Sequence, residues 1–391
     1  MKIALFTDVF TEKIISGAVV SIIRISKGLA DRGHKIYLIV PDGEDTIKLK
    51  HKNIEIIQVP SIPAFFYPGF RLTSFYNPKI TEYLKKEKVE IIYLTTPMIL
   101  GIEAVLTAKK LKIPLAGTFH TLVYKADYLK VVGLDFWIIK KILLWFHKFL
   151  YSRCDLVTCP SESALKEILM YKLGGKRNIA ISNGIDPKIF DNKKAKEIKN
   201  KYNPNGKIIL YVGRISDDKK IFYLFDIFKM ITEKLPNVRM IMIGGGVQMK
   251  EVKEKIEKLG IENKIFLLGQ MKHEKLVRSG VFGASDLFMT ASITETEGIT
   301  TLESQVNGLV CVGTNASGTK DLIKNNYNGF LVKDGNKEEF AEKVIRLLTD
   351  EKLYKRMRKN TLKEVKKYYV NKIISKWEKE FRNLIKNNKN K

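Results

Sequence analysis

The sequence predicts an α/β protein built as two Rossmann-like domains, each a parallel sheet flanked by helices. Three observations carry that expectation. Short, continuous apolar runs alternate with segments of helical spacing, the pattern of strands buried on both faces by crossover helices. The alternation comes in two successive series, one from Lys2 to Ser182 and one from Ile208 to Thr290, separated by the charged stretch Asp191–Gly206. Finally, 391 residues are more than one ordinary core organises and suit two.

The elements follow in order. Lys2–Phe6 is an apolar run ending at Thr7-Asp8, and Lys35–Val40 is another. Between them Gly17–Asp31 has helical periodicity, with Val20, Ile23 and Leu29 in phase and Gly33 as C-cap. The loop from Asp8 to Gly17 is long for such a unit, and long strand-end loops usually bind something. Ile54–Val59, Glu90–Leu94 and Leu115–Thr118 read as further strands, and Pro78–Lys86 and Leu100–Leu111 as helices. His120 stands just past a parallel strand, where ligand crevices lie in doubly wound folds. Strand Leu156–Cys159, helix Ser161–Leu173 and strand Ile179–Ser182 complete a first domain of residues 1–190. After the turn Asn183-Gly184-Ile185-Asp186-Pro187, a second domain, 191–369, runs through strand Ile208–Val212, helix Ile221–Leu235 and strand Arg239–Ile243. Helix Val247–Leu259 and strands Ile265–Leu268 and Leu287–Thr290 follow. The triplet Gly244-Gly245-Gly246 lacks the spacing and the following acid of a dinucleotide fingerprint, so it is a weak signal. Residues 370–391 form a terminal helix, with Ile374, Trp377, Phe381 and Ile385 three and four apart.

Composition narrows the function. A net charge of +27 suits nucleic acid, an anionic lipid surface or a nucleotide substrate, or else reflects lysine-rich solvated helix faces. No nucleic-acid module is present. Cys154, Cys159 and Cys311 are an odd set without metal-ligand spacing, which suggests a reducing cytosol. The N-terminus is too short in apolar residues for a signal peptide. No apolar run reaches the ~20 residues of a membrane span, since Arg24 and Lys140-Lys141 interrupt the candidates.

Chemistry gathers in two strand-end segments. In Ser292–Gln305, Gly298 enters the helix Ile299–Val306, whose unpaired amides and dipole attract an anion that glycine allows to approach. Glu295 and Glu303 bracket this turn. Carboxylates repel phosphate and suit hydroxyls, so the implied ligand carries an anionic part and a polyhydroxyl part, as a sugar nucleotide does. The second segment, Gly213-Arg214-Ile215-Ser216-Asp217-Asp218-Lys219-Lys220, offers a planar fork and a point charge to a diphosphate. No Asp-x-Asp ends a strand and no His/Cys cluster appears, so no metal is expected.

Glu295-x(7)-Glu303, in a stretch beginning Ser-Ile-Thr-Glu-Thr, resembles the donor motif of the retaining family-four glycosyltransferases, most closely the bacterial diacylglycerol glucosyltransferases. Thr118-Phe119-His120-Thr121, Gly213-Arg214 with Lys219, and the Asn183–Pro187 turn extend the resemblance over nearly the whole chain. It implies the GT-B fold, with a donor cleft between two domains and the last helix crossing back to the first, anchored by Trp377. It further implies that Glu303 holds the ribose hydroxyls and Glu295 those of the sugar. Arg214, Lys219 and the main chain of Gly298, Ile299 and Thr300 would hold the diphosphate, Gly17 would approach it closely, and His120 would contact the sugar. The implied catalytic set is His120, Glu295, Arg214 and Lys219. The sequence departs from the family at Lys220, Glu297 and Val310, which leaves the donor sugar open, and at Ser16, which leaves Gly17 as the close-approach residue.

Two segments could meet a membrane. Phe65–Lys88 interleaves aromatics with cations, and the lipid glucosyltransferases carry a basic, aromatic segment at the matching place. Phe65, Phe66 and Phe70 are the expected inserting rings, with Arg71, Lys79, Lys85, Lys86 and Lys88 as charges. Phe136–Tyr151 has no acid and suits either an interfacial helix or a mostly buried one. The resulting expectation is a metal-independent, retaining hexosyltransferase. It would carry glucose from a UDP-sugar to a lipid hydroxyl such as that of diacylglycerol, giving an α-glycolipid at the cytoplasmic membrane face. The alternatives are a polysaccharide or soluble sugar acceptor, or a basic membrane- or nucleic-acid-binding protein on a transferase fold.

Overall fold

The computed structural model describes residues 1–12, 17–64, 70–120, 137–246 and 248–390. They form two compact units: 1–184 with 370–391, and 185–369. Each is built on an all-parallel sheet.

In the first unit the strands are β1 (Lys2–Phe6), β2 (Lys35–Pro41), β3 (Ile54–Val59), β6 (Ile91–Leu94), β7 (Leu115–Thr118), β8 (Leu156–Cys159) and β9 (Arg177–Ala180), in the order β3-β2-β1-β6-β7-β8-β9. The apolar runs are continuous because both sheet faces are covered. In β1, Ile3 and Leu5 enter one core while Ala4 and Phe6 enter the other. An antiparallel hairpin of β4 (Ser61–Pro63) and β5 (Arg71–Thr73) stands apart from the sheet. The terminal helix Val370–Lys389 buries Ile374, Trp377, Phe381 and Ile385 against this unit. Trp377 lies 5.0 Å from the Tyr93 ring. The helix Gly17–Asp31 meets it at Gly28, where a Cβ would come within 2.5 Å of Ile374 Cγ1.

The second unit orders its strands β12-β11-β10-β13-β14-β15, with β10 at Lys207–Val212, β11 at Val238–Ile243, β12 at Ile265–Leu267, β13 at Leu287–Thr290, β14 at Val310–Thr314 and β15 at Gly329–Val332. Ile209 and Tyr211 of β10 face one core, and Ile208, Leu210 and Val212 the other. In both sheets the chain reverses its direction of travel at one place, between β1 and β6 and between β10 and β13. Loops diverge from the carboxyl ends of such a strand pair and leave a crevice. The candidate residues follow β1, β10 and β13 at these reversals and β7 one strand further on.

Candidate functional site

In the second unit the turn after β10 and the turn after β13 meet at the reversal. Asp218 is the hub. It is 2% exposed, accepts from Ser216 Oγ and Thr294 Oγ1 (3.1 Å), and pairs with Arg214 Nη2 at 3.1 Å and Lys219 Nζ at 3.3 Å. Lys219 Nζ continues to Glu295 Oε1 at 2.7 Å and Ser292 Oγ at 3.2 Å. The chain Arg214–Asp218–Lys219–Glu295 thus ties the two turns together. Burial opposes charge on Asp218 and Glu295. The Lys219 ammonium and the surrounding hydrogen bonds outweigh it, holding both carboxyls below their usual range. Arg214 keeps its side chain 38% exposed, within reach of a ligand.

Glycines shape these turns. A Cβ on Gly244 would stand 1.7 Å from the Gly213 carbonyl oxygen, and one on Gly246 1.9 Å from that of Ile215. The Gly244–Gly246 triplet is therefore a bed on which the Arg214 loop lies, with Ile215 N–H donating to Gly245 O at 2.9 Å. Gly298, at φ +91°, turns the chain into the helix Ile299–Val306, whose first turn has no side-chain cap. The expected donor residues Gly298, Ile299, Thr300 and Glu303 all belong to this one turn and helix. The loop is braced from behind by Gly318, whose N–H donates to Glu295 O at 2.8 Å and which packs against the Glu297 backbone. Glu297, the acid that the resemblance makes unusual, is buried. Glu303 is 1% exposed, with Oε1 2.6 Å from His273 Nε2.

The other two expected donor contacts belong to the first unit. Gly17 begins the helix after β1. His120, after β7, is 9% exposed, and burial lowers its pKa to about 4, so the imidazole is neutral at ordinary pH. Asp8, after β1, accepts from Thr96 Oγ1 (2.9 Å) and from the Leu100 amide (2.8 Å) in the first turn of the helix Ile99–Leu111. Burial still pushes its carboxyl up to about 6.

Sequence reasoning missed Asp218 as an organiser, His273 as the partner of Glu303, and the brace at Gly318. Asp218 stood inside a recognised motif, but its reach to Thr294 spans 76 positions. His273 carries no local signal at all.

The membrane-facing expectations fare unevenly. Phe65 and Phe66 lie outside the described residues. Phe70 is 8% exposed, which corrects its reading as an inserting ring: it packs inward where β5 begins. Arg71 points its guanidinium into the protein, at Asp42 (3.2 Å) and Ser61 (2.8 Å). Lys79, Lys85, Lys86 and Lys88 are exposed. Cys154, Cys159 and Cys311 are buried free thiols. Among the described residues no helix is long and apolar enough to cross a membrane, and no group of three or more His, Cys, Asp or Glu could hold a metal.

Comparison with known proteins fits this arrangement. Residues 15–189 match the model for Glycosyltransferase Family 4 and residues 192–364 that for Glycosyl transferases group 1. An alpha-monoglucosyldiacylglycerol synthase of Streptococcus pneumoniae is 26% identical, over 96% of this chain and 87% of its own. The Acholeplasma laidlawii enzyme of the same name is 25% identical, over 100% and 99%. Among solved structures, Anabaena HepE in complex with UDP and glucose superposes with a TM-score of 0.76 at 19% identity, covering 98% of this chain and 99% of that one. With both domains matched in sequence and the two-sheet fold matched in structure, the chain belongs to the GT-B glycosyltransferases, its first domain of Family 4 and its second of group 1.

Proposed function

We propose that the protein transfers a hexose, glucose in the first instance, from a UDP-sugar to the hydroxyl of a membrane lipid such as diacylglycerol, with retention at the anomeric carbon and without a metal. The observation that carries this reading is the Arg214–Asp218–Lys219–Glu295 network. It sets two cations and two ionised carboxylates in two adjoining loops, one of which runs on into the uncapped helix start at Gly298.

The chemistry follows from the charges. The sugar C1–O bond breaks and its electron pair stays on the β-phosphate oxygen of UDP. Arg214, Lys219 and the amides of Gly298, Ile299 and Thr300 stabilise that developing charge, the service a divalent ion performs elsewhere. Glu295 accepts from sugar hydroxyls and Glu303 from the ribose. His120, neutral at ordinary pH, can donate to or accept from a substrate hydroxyl without adding a cation. The acceptor hydroxyl attacks C1 on the face the phosphate leaves, and its proton passes to the departing phosphate oxygen. The lipid acceptor rests on the two glucolipid synthases among the relatives. The exposed Lys79, Lys85, Lys86 and Lys88 supply electrostatic attraction to an anionic cytoplasmic leaflet, about 1 kcal/mol for each cation that reaches the surface.

The test is direct. Purified protein, radiolabelled UDP-glucose and diacylglycerol dispersed in detergent micelles should yield an α-linked glucolipid, undiminished in excess EDTA. Transfer to a soluble sugar with none to lipid would replace the acceptor. Complete loss on chelation, restored by one divalent ion, would overturn the cation clamp.

A further inference from the structure

The helix Trp137–Tyr151 is inverted relative to an ordinary surface helix. Its wholly buried residues are His147, Leu150 and Tyr151. Its outward side shows Trp137 at 67% exposure, Ile138 at 52%, Ile142 at 57% and Trp145 at 66%. At 3.6 residues per turn these four share somewhat under half the circumference, with Lys148 and Lys141 between Trp137 and Trp145 and Arg153, just past the helix, beside Ile142 at the far edge. Lys141 and Lys148 are exposed, and Lys141 Nζ lies 4.5 Å over the Trp137 ring. Trp145 stacks on Phe149 at 5.9 Å, and the Arg153 guanidinium covers Phe149 at 3.7 Å. No acid occurs from Trp137 to Cys154. A soluble surface does not expose such a patch without use.

The occupant follows from the order of the groups. A strip of indole and isoleucine about 12 Å long, interleaved and edged with cations of which Lys141 and Arg153 lie over rings, matches the boundary between acyl chains and anionic headgroups. There tryptophan prefers the interface and lysine reaches out to phosphate. A second copy fits less well, because two such faces would bring Lys141, Lys148 and Arg153 against each other with no acid to pair. We infer that this helix is the apolar anchor that docks the protein in the plane of an anionic membrane. The inference rests on the lipid-acceptor reading given above and supplies the contact that Phe70 does not.

The chain's three tryptophans make the test specific. Trp137 and Trp145 are exposed while Trp377 is 1% exposed. Vesicles of equal phosphatidylglycerol and phosphatidylcholine should blue-shift the emission of the parent and leave that of Trp137→Phe/Trp145→Phe, which retains only buried Trp377, unchanged. Trp137→Ser/Trp145→Ser should co-sediment with those vesicles at least tenfold more weakly in high salt. Lys141→Glu/Lys148→Glu should lose the preference for anionic over neutral vesicles. Circular dichroism and micellar transfer activity serve as folding controls. Parent protein that shows no blue shift, or a Trp137→Ser/Trp145→Ser variant that sediments like the parent, overturns the dock. So does a parent dimer that dissociates on Trp145→Glu, which would give the face to a second copy. The two readings fail separately: docking without glucolipid product removes the acceptor and keeps the anchor, and product in micelles without vesicle binding does the reverse.

Discussion

The two sheets reverse direction in the same way, and the residues at or one strand from the two reversals differ in charge state. After β10 and β13 stand Arg214, Asp218, Lys219 and Glu295, all joined by ion pairs. Lys219 holds the two acids ionised against their burial. After β1 and β7 stand Asp8 and His120. Burial pushes the first up to about 6 and the second down to about 4. One fold thus supports two electrostatic regimes. Partnered charges mark the second unit. In the first, His120 is neutral at ordinary pH while Asp8 keeps most of its charge until the pH falls to about 6. On the proposed function the former set faces the diphosphate and the latter the hydroxyls. On the charged side Lys219 lies within a few ångströms of each buried carboxylate and outweighs its burial, whereas burial sets the direction for Asp8 and His120.

The largest test attacks the charged side. Arg214→Ala and Lys219→Ala should each lower turnover by roughly 10²-fold or more, the scale of losing a fixed stabiliser of developing charge. Asp218→Asn keeps the shape but removes the charge that orients both cations. Its turnover should fall by about tenfold, and lysine in place of Arg214 should not restore the fork geometry. Near-normal turnover in all of them would place the diphosphate elsewhere and dissolve the contrast.

The neutral side is tested by pH. His147 packs edge-on against Phe119, 5.5 Å away, beside His120, and burial likewise lowers its pKa to about 4. From pH 6.5 down to 4 the unfolded chain takes up a proton that the folded chain refuses, so stability is lost as pH falls through that window. At pH 5 the loss is about 2 kcal/mol for such a histidine. His147→Phe preserves the aromatic contact and removes the titration. Between pH 7 and 5 the variant should therefore gain about 2 kcal/mol on the parent in calorimetric unfolding. A constant difference would mean that His147 is not held neutral.

Activity gives a smaller signal on the same side. A neutral His120 that does not titrate above about pH 5 leaves the kcat profile flat from pH 8 to 6 on its account. A limb near 6.5 that disappears in His120→Gln would show the imidazole charging, and the first unit would then carry a cation too.

The sheets were legible because parallel strands covered on both faces become unbroken apolar runs, and the terminal stripe through Trp377 was legible for its three-four spacing. Asn307–Tyr369 was not. Its strands Val310–Thr314 and Gly329–Val332 each contain a glycine, and pairing, of the first with β13 and of the second with the first, rather than local composition makes them strands. The β4–β5 hairpin has only three residues a side and a proline. At the site, residue types showed what was present, whereas the network among them needed the reversal that brings Asp218 to Thr294. The glycine triplet shows the limit of motif reading: its reason is contact with the Arg214 loop, invisible until both loops are placed.

The smallest effect concerns how the charged turn is held. Lys220, which stands where the resembled family commonly has glycine, adopts φ +51° at the entry to the helix Ile221–Lys234, a conformation costing a side-chain-bearing residue about 1 kcal/mol or more. Its ammonium lies 2.6 Å from Asp334 Oδ1, with side chains 28% and 43% exposed, and a pair that wet contributes at most about 0.5 kcal/mol. Lys220→Gly relieves the backbone by about 1 kcal/mol. It gives back about 0.4–1 kcal/mol through the freer unfolded chain, and it loses the pair. The sum is near zero, so unfolding should move by less than about 1 kcal/mol in either direction. Lys220→Ala keeps the strain and loses only the pair, so it should be the less stable of the two by a few tenths of a kcal/mol. Turnover in both should stay within about twofold of the parent if the ionic network through Asp218 sets the loop. A tenfold loss in Lys220→Gly with unchanged stability would show instead that the strained backbone positions Lys219, and would move the origin of the contrast from paired charge to the turn itself.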